Sequence, residues 1–157
     1  MKENVLDVLV YLFQNFLEDD AEVRFDRDSM QIDLLDAGFP LTEIHKAFDW
    51  MDGLANRQGH ATGAVSSRAI RIYSDDEQAK LDVECRGFLM YLEQLGILSP
   101  VSRELVIDRV MALSDEDVDA DDLKWVVLMV LFSQPGQEDA YAWMENLVFE
   151  NFTGYVN

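Results

Sequence analysis

Asp119-Ala120-Asp121-Asp122-Leu123-Lys124-Trp125-Val126-Val127-Leu128-Met129-Val130-Leu131-Phe132 is the stretch on which the fold turns. Asp119 stands where a helix needs a side-chain cap, and Asp121 and Asp122 fall in the first turn, where the positive end of the helix dipole favours carboxylates. From Leu123 onward the helix is apolar on nearly every face, so its surroundings must be other helices. It therefore forms the centre of a C-terminal helical bundle. Its unbroken apolar run, Trp125 to Phe132, spans eight residues, far short of the roughly 20 needed to cross a bilayer.

The neighbouring helices follow from their end signals. Gln134-Pro135-Gly136-Gln137 breaks the central helix, and Ala140, Trp143, Met144, Leu147 and Val148 mark a last helix ending near Glu150. On the other side, Ser99 with Pro100 just inside starts a helix carrying Val101, Leu105, Val106, Val110 and Leu113. Ser74 and Glu77 form a capping box that opens a longer helix ending at Gly96 and burying Leu81, Cys85, Phe88, Leu92 and Leu95. At about 20 residues, or roughly 30 Å, it is long enough to join two subdomains.

Upstream, Val5, Leu6, Leu9, Leu12, Phe13 and Phe16 give an amphipathic helix over residues 3–18. A second helix opens near Asp26 or Asp28, buries Met30, Leu34 and Leu35, and stops at Gly38; a third carries Leu41, Ile44, Phe48, Met51, Leu54 and Ala55. Residues 56–67 read as a loop, and Ala69-Ile70-Arg71-Ile72-Tyr73 alternates like an edge strand that can pair with Val23-Arg24-Phe25. The expected architecture is therefore mostly α. Residues 1–73 form a winged-helix-like unit with a small two-stranded sheet, and helix 74–96 connects it to a helical bundle within residues 74–157.

Charge restricts function further. The chain holds 31 acidic and 12 basic residues, a formal charge of −19, and such a field repels nucleic acid and anionic lipid. Residues 56–73 run against this trend, with no acid and three arginines, Arg57, Arg68 and Arg71. These are the candidate partner-binding residues, set on the loop and strand that a winged helix uses for contact. The alternative is that they pair with the protein's own carboxylates, where exposed pairs contribute about 0–1 kcal/mol. Groove entry by residues 26–55 is disfavoured, since that segment carries seven acids and two bases.

No constellation for catalysis is visible. Cys85, the single cysteine, falls on an apolar seam where a thiol packs and is not activated. Two histidines and one cysteine cannot make a zinc site of conventional spacing. Read as a calcium loop from Asp115, the acidic run has Ala120 where glycine is required and Val126 where glutamate is required. Neither a phosphate-cradling glycine pattern nor a nucleophile elbow occurs. Gly87, inside a helix, is expected to admit another backbone or a large ring. Trp50, Trp125 and Trp143 are expected to pack in the core or at domain interfaces. No cofactor or metal is implied.

Taken together, Asp7-Val8-Leu9-Val10-Tyr11-Leu12-Phe13, Asp33-Leu34-Leu35-Asp36-Ala37-Gly38-Phe39, Ile70-Arg71-Ile72-Tyr73, Cys85-Arg86-Gly87-Phe88-Leu89 and the run from Asp121 to Phe132 resemble the Smg family of small bacterial proteins over nearly the whole chain. The resemblance implies a cytoplasmic bacterial protein and brings no activity, cofactor or catalytic residue with it. One cysteine and the lack of a charged-then-apolar leader at Met1 point to the same compartment. The expected function is a non-catalytic protein-interaction or adaptor module with a basic partner. The rival is a nucleic-acid- or ribosome-associated protein that uses Arg57, Arg68 and Arg71.

Overall fold

The computed structural model describes residues 4–17, 27–57, 72–113, 118–134 and 136–153. Eight α-helices run through them: α1 (Val5–Leu12), α2 (Arg27–Asp36), α3 (Leu41–Arg57), α4 (Asp75–Lys80), α5 (Val83–Gln94), α6 (Pro100–Met111), α7 (Ala120–Ser133) and α8 (Glu138–Thr153). A π-helical segment, Phe13–Leu17, continues α1. The chain forms two compact units, Met1–Gly53 and Leu54–Asn157.

In the first unit, Asn4 and Asp7 form a reciprocal capping box at the start of α1. Helix α2 ends at Gly38, whose φ of +102° is a conformation glycine adopts without a Cβ clash. There the Phe39 N–H donates to the Leu34 carbonyl at 3.1 Å and the Gly38 N–H to Leu35 at 3.0 Å, the paired closure that ends many helices. Leu9, Leu12, Phe13, Leu34, Ile44 and Phe48 are its principal buried side chains. Arg27 reaches from α2 to Asp52 on α3 and lies over the Phe48 ring, 5.5 Å from its centroid.

In the second unit, α7 packs against α5, α6 and α8. Leu123 and every residue from Trp125 to Leu131 are buried, as expected of a helix with no polar face. Burying each of these aliphatic side chains contributes roughly 1.5–3 kcal/mol. Capping chemistry fixes where α6 and α7 begin. Ser99 accepts from the Ser102 N–H at 3.0 Å, and Asp119 and Asp122 exchange bonds of 2.8 and 3.2 Å. Ser102 also donates to Gln134 at 2.8 Å, tying the start of α6 to the end of α7.

Two expectations are corrected. The winged-helix-like unit with a two-stranded sheet is not formed: the described residues are helical, with no strand and no sheet. Val23–Phe25 and residues 69–71 lie outside the described residues. Ile72 and Tyr73, the remainder of the second expected strand, are described and belong to none. Ile72 is 84% exposed, and the Tyr73 carbonyl accepts from Gln78 Nε2 at 3.0 Å. A five-residue alternation offers too few side chains on one face to hold a register, and the Ser74–Glu77 capping box draws this backbone into a helix start.

The long connecting helix 74–96 is also divided, into α4 and α5. Leu81 is extended (φ −104°, ψ 106°), and Asp82 caps α5 by accepting from the Cys85 N–H at 2.8 Å. Aspartate competes well for backbone donors at a helix start and poorly fits a helix interior. Arg86 Nε donates to the carbonyls of Leu81 and Asp82 at 3.1 and 3.3 Å, so acceptors released by the break are satisfied. The break also turns Leu81 fully inward.

Leu128→Ala should therefore destabilise the protein by roughly 2–5 kcal/mol, whereas Ile72→Ala should stay within about 0.5 kcal/mol. Urea midpoints followed by circular dichroism measure both. A comparable loss at Ile72 would contradict its solvated placement.

Candidate functional site

Arg57, Arg68 and Arg71 are not brought together by any described structure: Arg57 is the last residue of α3, and Arg68 and Arg71 lie outside the described residues. The acidic run is likewise only partly described, from Val118 onward. Among the described residues, no group of three or more His, Cys, Asp or Glu side chains is arranged to hold a metal ion. Nor is any helix among them long and apolar enough to cross a membrane.

Cys85 lies on the inner face of α5 with no exposed surface. Its thiol faces the Val118 carbonyl at 3.8 Å. Burial pushes its pKa up to about 12, with the neighbouring Asp82 carboxylate acting in the same direction. A nucleophilic thiol needs the opposite environment. Asp82 is held below the usual carboxylate range by the hydrogen bonds it accepts from Cys85, which is the signature of a cap.

The polar groups that sequence reading missed are the arginines of α6. Arg103 and Arg109 are only 5% and 6% exposed. Arg103 Nη1 donates to both Glu93 oxygens at 3.0 Å and its Nε to Glu104 at 2.8 Å. Burial works against its charge, but the two carboxylates outweigh that and raise its pKa. Arg109 pairs with Asp108 at 2.8 Å. Lys80 donates to the Leu113 carbonyl, and Lys124 lies 5.9 Å from the Phe88 ring centroid. The four bases just named, among the described residues of this unit, are thus turned toward its own acceptors and rings. Asp75, Asp76, Asp82, Glu84, Asp119 and Asp121 face solvent.

The first unit repeats the pattern. An open cleft of about 470 Å³ is lined by Tyr11, Asn15, Asp33, Asp36 and Ala37. Asn15 donates to the Tyr11 carbonyl at 2.8 Å, and the Tyr11 ring meets Phe39 edge to face at 5.4 Å. Two carboxylates one helical turn apart attract cations, but the cleft supplies no activated nucleophile. The π-helical turn that carries Asn15 has no signature in the apolar spacing, which continues through it unchanged.

Helix α5 holds one more departure. Its buried side is Cys85, Leu89 and Leu92, while Leu95, expected on the seam, is 47% exposed. Val83, Met90 and Tyr91 are 76%, 59% and 49% exposed. At Gly87 an added Cβ would meet nothing within 4 Å, so no backbone or ring among the described residues occupies the space that glycine leaves.

What the chain presents is an all-helical fold in its described part, with buried cations, a solvated acidic surface and a shielded thiol. It belongs to the family described as "Protein of unknown function (DUF494)", which matches residues 5–157. It is similar to the protein named "Protein Smg homolog" in Methylococcus capsulatus, with 59% identity over 157 residues and 100% of each chain covered. Proteins of the same name from Alkalilimnicola ehrlichii and Halorhodospira halophila are 56% and 53% identical, with 96% and 100% of each chain covered. The resemblance to the Smg family is thereby shown. No solved structure matches the chain.

In the native protein at neutral pH, Cys85 should resist iodoacetamide that labels it fully in urea. The unfolded chain loses the thiol proton first, so stability should fall as pH rises from about 9 toward about 12. Cys85→Ala should remove that component of the slope, read from urea midpoints of the two proteins across the alkaline range. Arg103→Ala should cost roughly 3 kcal/mol by leaving Glu93 and Glu104 without their cation. Arg103→Met, which keeps the apolar stem, should cost less in the same assay.

Proposed function

We propose that the protein is a non-catalytic interaction or adaptor module, acting in the cytoplasm, whose acidic surface meets a basic protein partner. The observation that carries this reading is the sorting of charge. Of 12 basic residues in the chain, Arg103 and Arg109 are buried against carboxylates, and Arg27 and Lys46 stand in ion pairs with Asp52 and Glu43. The solvated carboxylates then set the external field. A field of one sign speeds encounter with an oppositely charged partner and makes the complex sensitive to salt. The raised pKa and burial of Cys85 support a role without covalent chemistry.

Arg57, Arg68 and Arg71 are, on this reading, a contact of opposite sign for carboxylates of the same partner, since their segment carries three arginines and no acid. Nucleic acid or ribosome binding through them is the rival, and the net charge of −19 weighs against it.

Affinity purification from native cells at low salt should retain a basic protein that is released as salt rises. The absence of any complex, or one indifferent to ionic strength, would overturn the adaptor reading. Retention on RNA or DNA that the Arg57→Ala/Arg68→Ala/Arg71→Ala variant loses would replace it with the rival.

A further inference from the structure

Helix α5 is apolar on both sides, although only one side is buried. Its inner side, Cys85, Leu89 and Leu92, packs within a bundle where α5 meets α6 and α7. Its outer side carries Val83, Gly87, Met90 and Tyr91, steps of four, three and one that fall on a single helical face, with Leu95 at its lower edge. Single exposed apolar side chains are ordinary on a protein surface. Four of them, 76%, 59%, 49% and 47% exposed, lie around a glycine on one side of α5 and its C-cap, with Glu84 beside Tyr91 and Gln94 at the far end of the same face, a clustering of the kind that marks a contact site.

The shape and the charge of this face identify its occupant. Gly87 leaves a notch between Val83 and Met90, open to solvent, into which a ridge side chain of a second helix fits; smaller residues at a crossing let helix axes approach more closely. Around the stripe, Asp82 and Glu84 are exposed on α5, and Asp75 and Asp76 on the preceding α4. Among the described residues, the bases nearby are engaged inward: Lys80 at the Leu113 carbonyl, and Arg86 at the Leu81 carbonyl and over the Tyr73 ring at 5.9 Å. An apolar strip with an acidic margin complements a helix with an apolar ridge and basic flanks. A second copy of this chain would set identical acidic margins against each other, and like charges in juxtaposition oppose association. An anionic lipid surface meets the same repulsion.

We propose that the outer face of α5, centred on Gly87 between Val83, Met90 and Tyr91, is the docking site for a cationic amphipathic helix of a protein partner. This rests on the adaptor reading and gives that reading a place on the molecule. The apolar stripe supplies the contact that excludes water, and Asp75, Asp76, Asp82 and Glu84 orient the incoming helix by its basic flanks.

The test uses the full chain with Gly87→Cys, a substitution in open space on a helix. Because Cys85 is buried, the Gly87→Cys thiol is the reactive one. A synthetic leucine–lysine amphipathic helical peptide should slow labelling of that thiol by a disulfide reagent roughly tenfold at saturation, while a scrambled peptide of the same composition should not. Met90→Asp and Tyr91→Ala, each checked for native circular dichroism, should weaken binding of the labelled peptide by about tenfold or more, the scale of losing a central anchor.

Peptide binding that leaves the thiol equally reactive and ignores both substitutions would overturn the assignment while leaving a charge-driven adaptor in place. A thiol unreactive in the free protein at every concentration, meaning that the chain covers the face itself, would overturn it too. So would a thiol exposed only on dilution, which would assign the face to a second copy. No peptide binding at low salt would also overturn the site, and the adaptor reading would then stand or fall on the salt-dependent purification alone.

Discussion

The constraint on which the structure depends is that α7 has no face for water. With Leu123 and Trp125 through Leu131 all buried, this helix needs neighbours around its circumference, and α5, α6 and α8 supply them. The end of each neighbour is then fixed by local chemistry. Ser99 and Asp119 set where α6 and α7 begin, and Ser102 to Gln134 closes one end of that pair. A core of this kind tolerates little variation in volume. It tolerates charge only where the charge is matched, as at Arg103 between Glu93 and Glu104.

That matching has an external consequence. Each arginine placed inside the bundle is a cation withdrawn from the surface, and its partner carboxylate cancels only one charge of a large acidic excess. Among the described residues of the second unit, the exposed charged side chains are carboxylates. Self-repulsion of this kind keeps a protein soluble at some cost to compactness. It also allows an apolar stripe to stay exposed on α5, because two copies approaching through it bring Asp82 and Glu84 of each into opposition.

The parts of the fold legible in the sequence are those written in short-range hydrogen bonding. The Ser74–Glu77 box, the Ser99–Pro100 start, the Asp119 cap and the glycine ends at Gly38 and Gly96 all stand as read. Apolar spacing was the weaker guide. Leu81, Cys85 and Leu92 are all buried, as one helix would have them, yet Asp82 stops α4 and restarts α5 between the first two. Once the helix restarts, Leu95 turns outward and Leu89 takes its place in the core. Ile72 and Tyr73, the described end of one alternation, form no strand, because an alternation says which side chains share a face and nothing about whether a partner exists to bury them. Of the candidate site, the three arginines were legible as a charge anomaly only. Arg103 and Arg109 were not legible as buried: Glu104 and Asp108 are their neighbours in sequence and carry no signal of burial, and Glu93 lies on a different helix.

Gly87 does not meet the backbone or ring that its place inside a helix led us to expect. A glycine inside a helix costs about 1 kcal/mol relative to alanine, so its presence asks for a close neighbour. Among the described residues, no atom comes within 4 Å of its missing Cβ. The cost remains, and it falls in the middle of a stripe of exposed Val83, Met90 and Tyr91. If a side chain at position 87 would merely extend into solvent, alanine would give a more stable helix with no loss of packing. On the proposed docking, a side chain of a partner helix fills this notch, which accounts for both the glycine and the apolar residues around it with one contact.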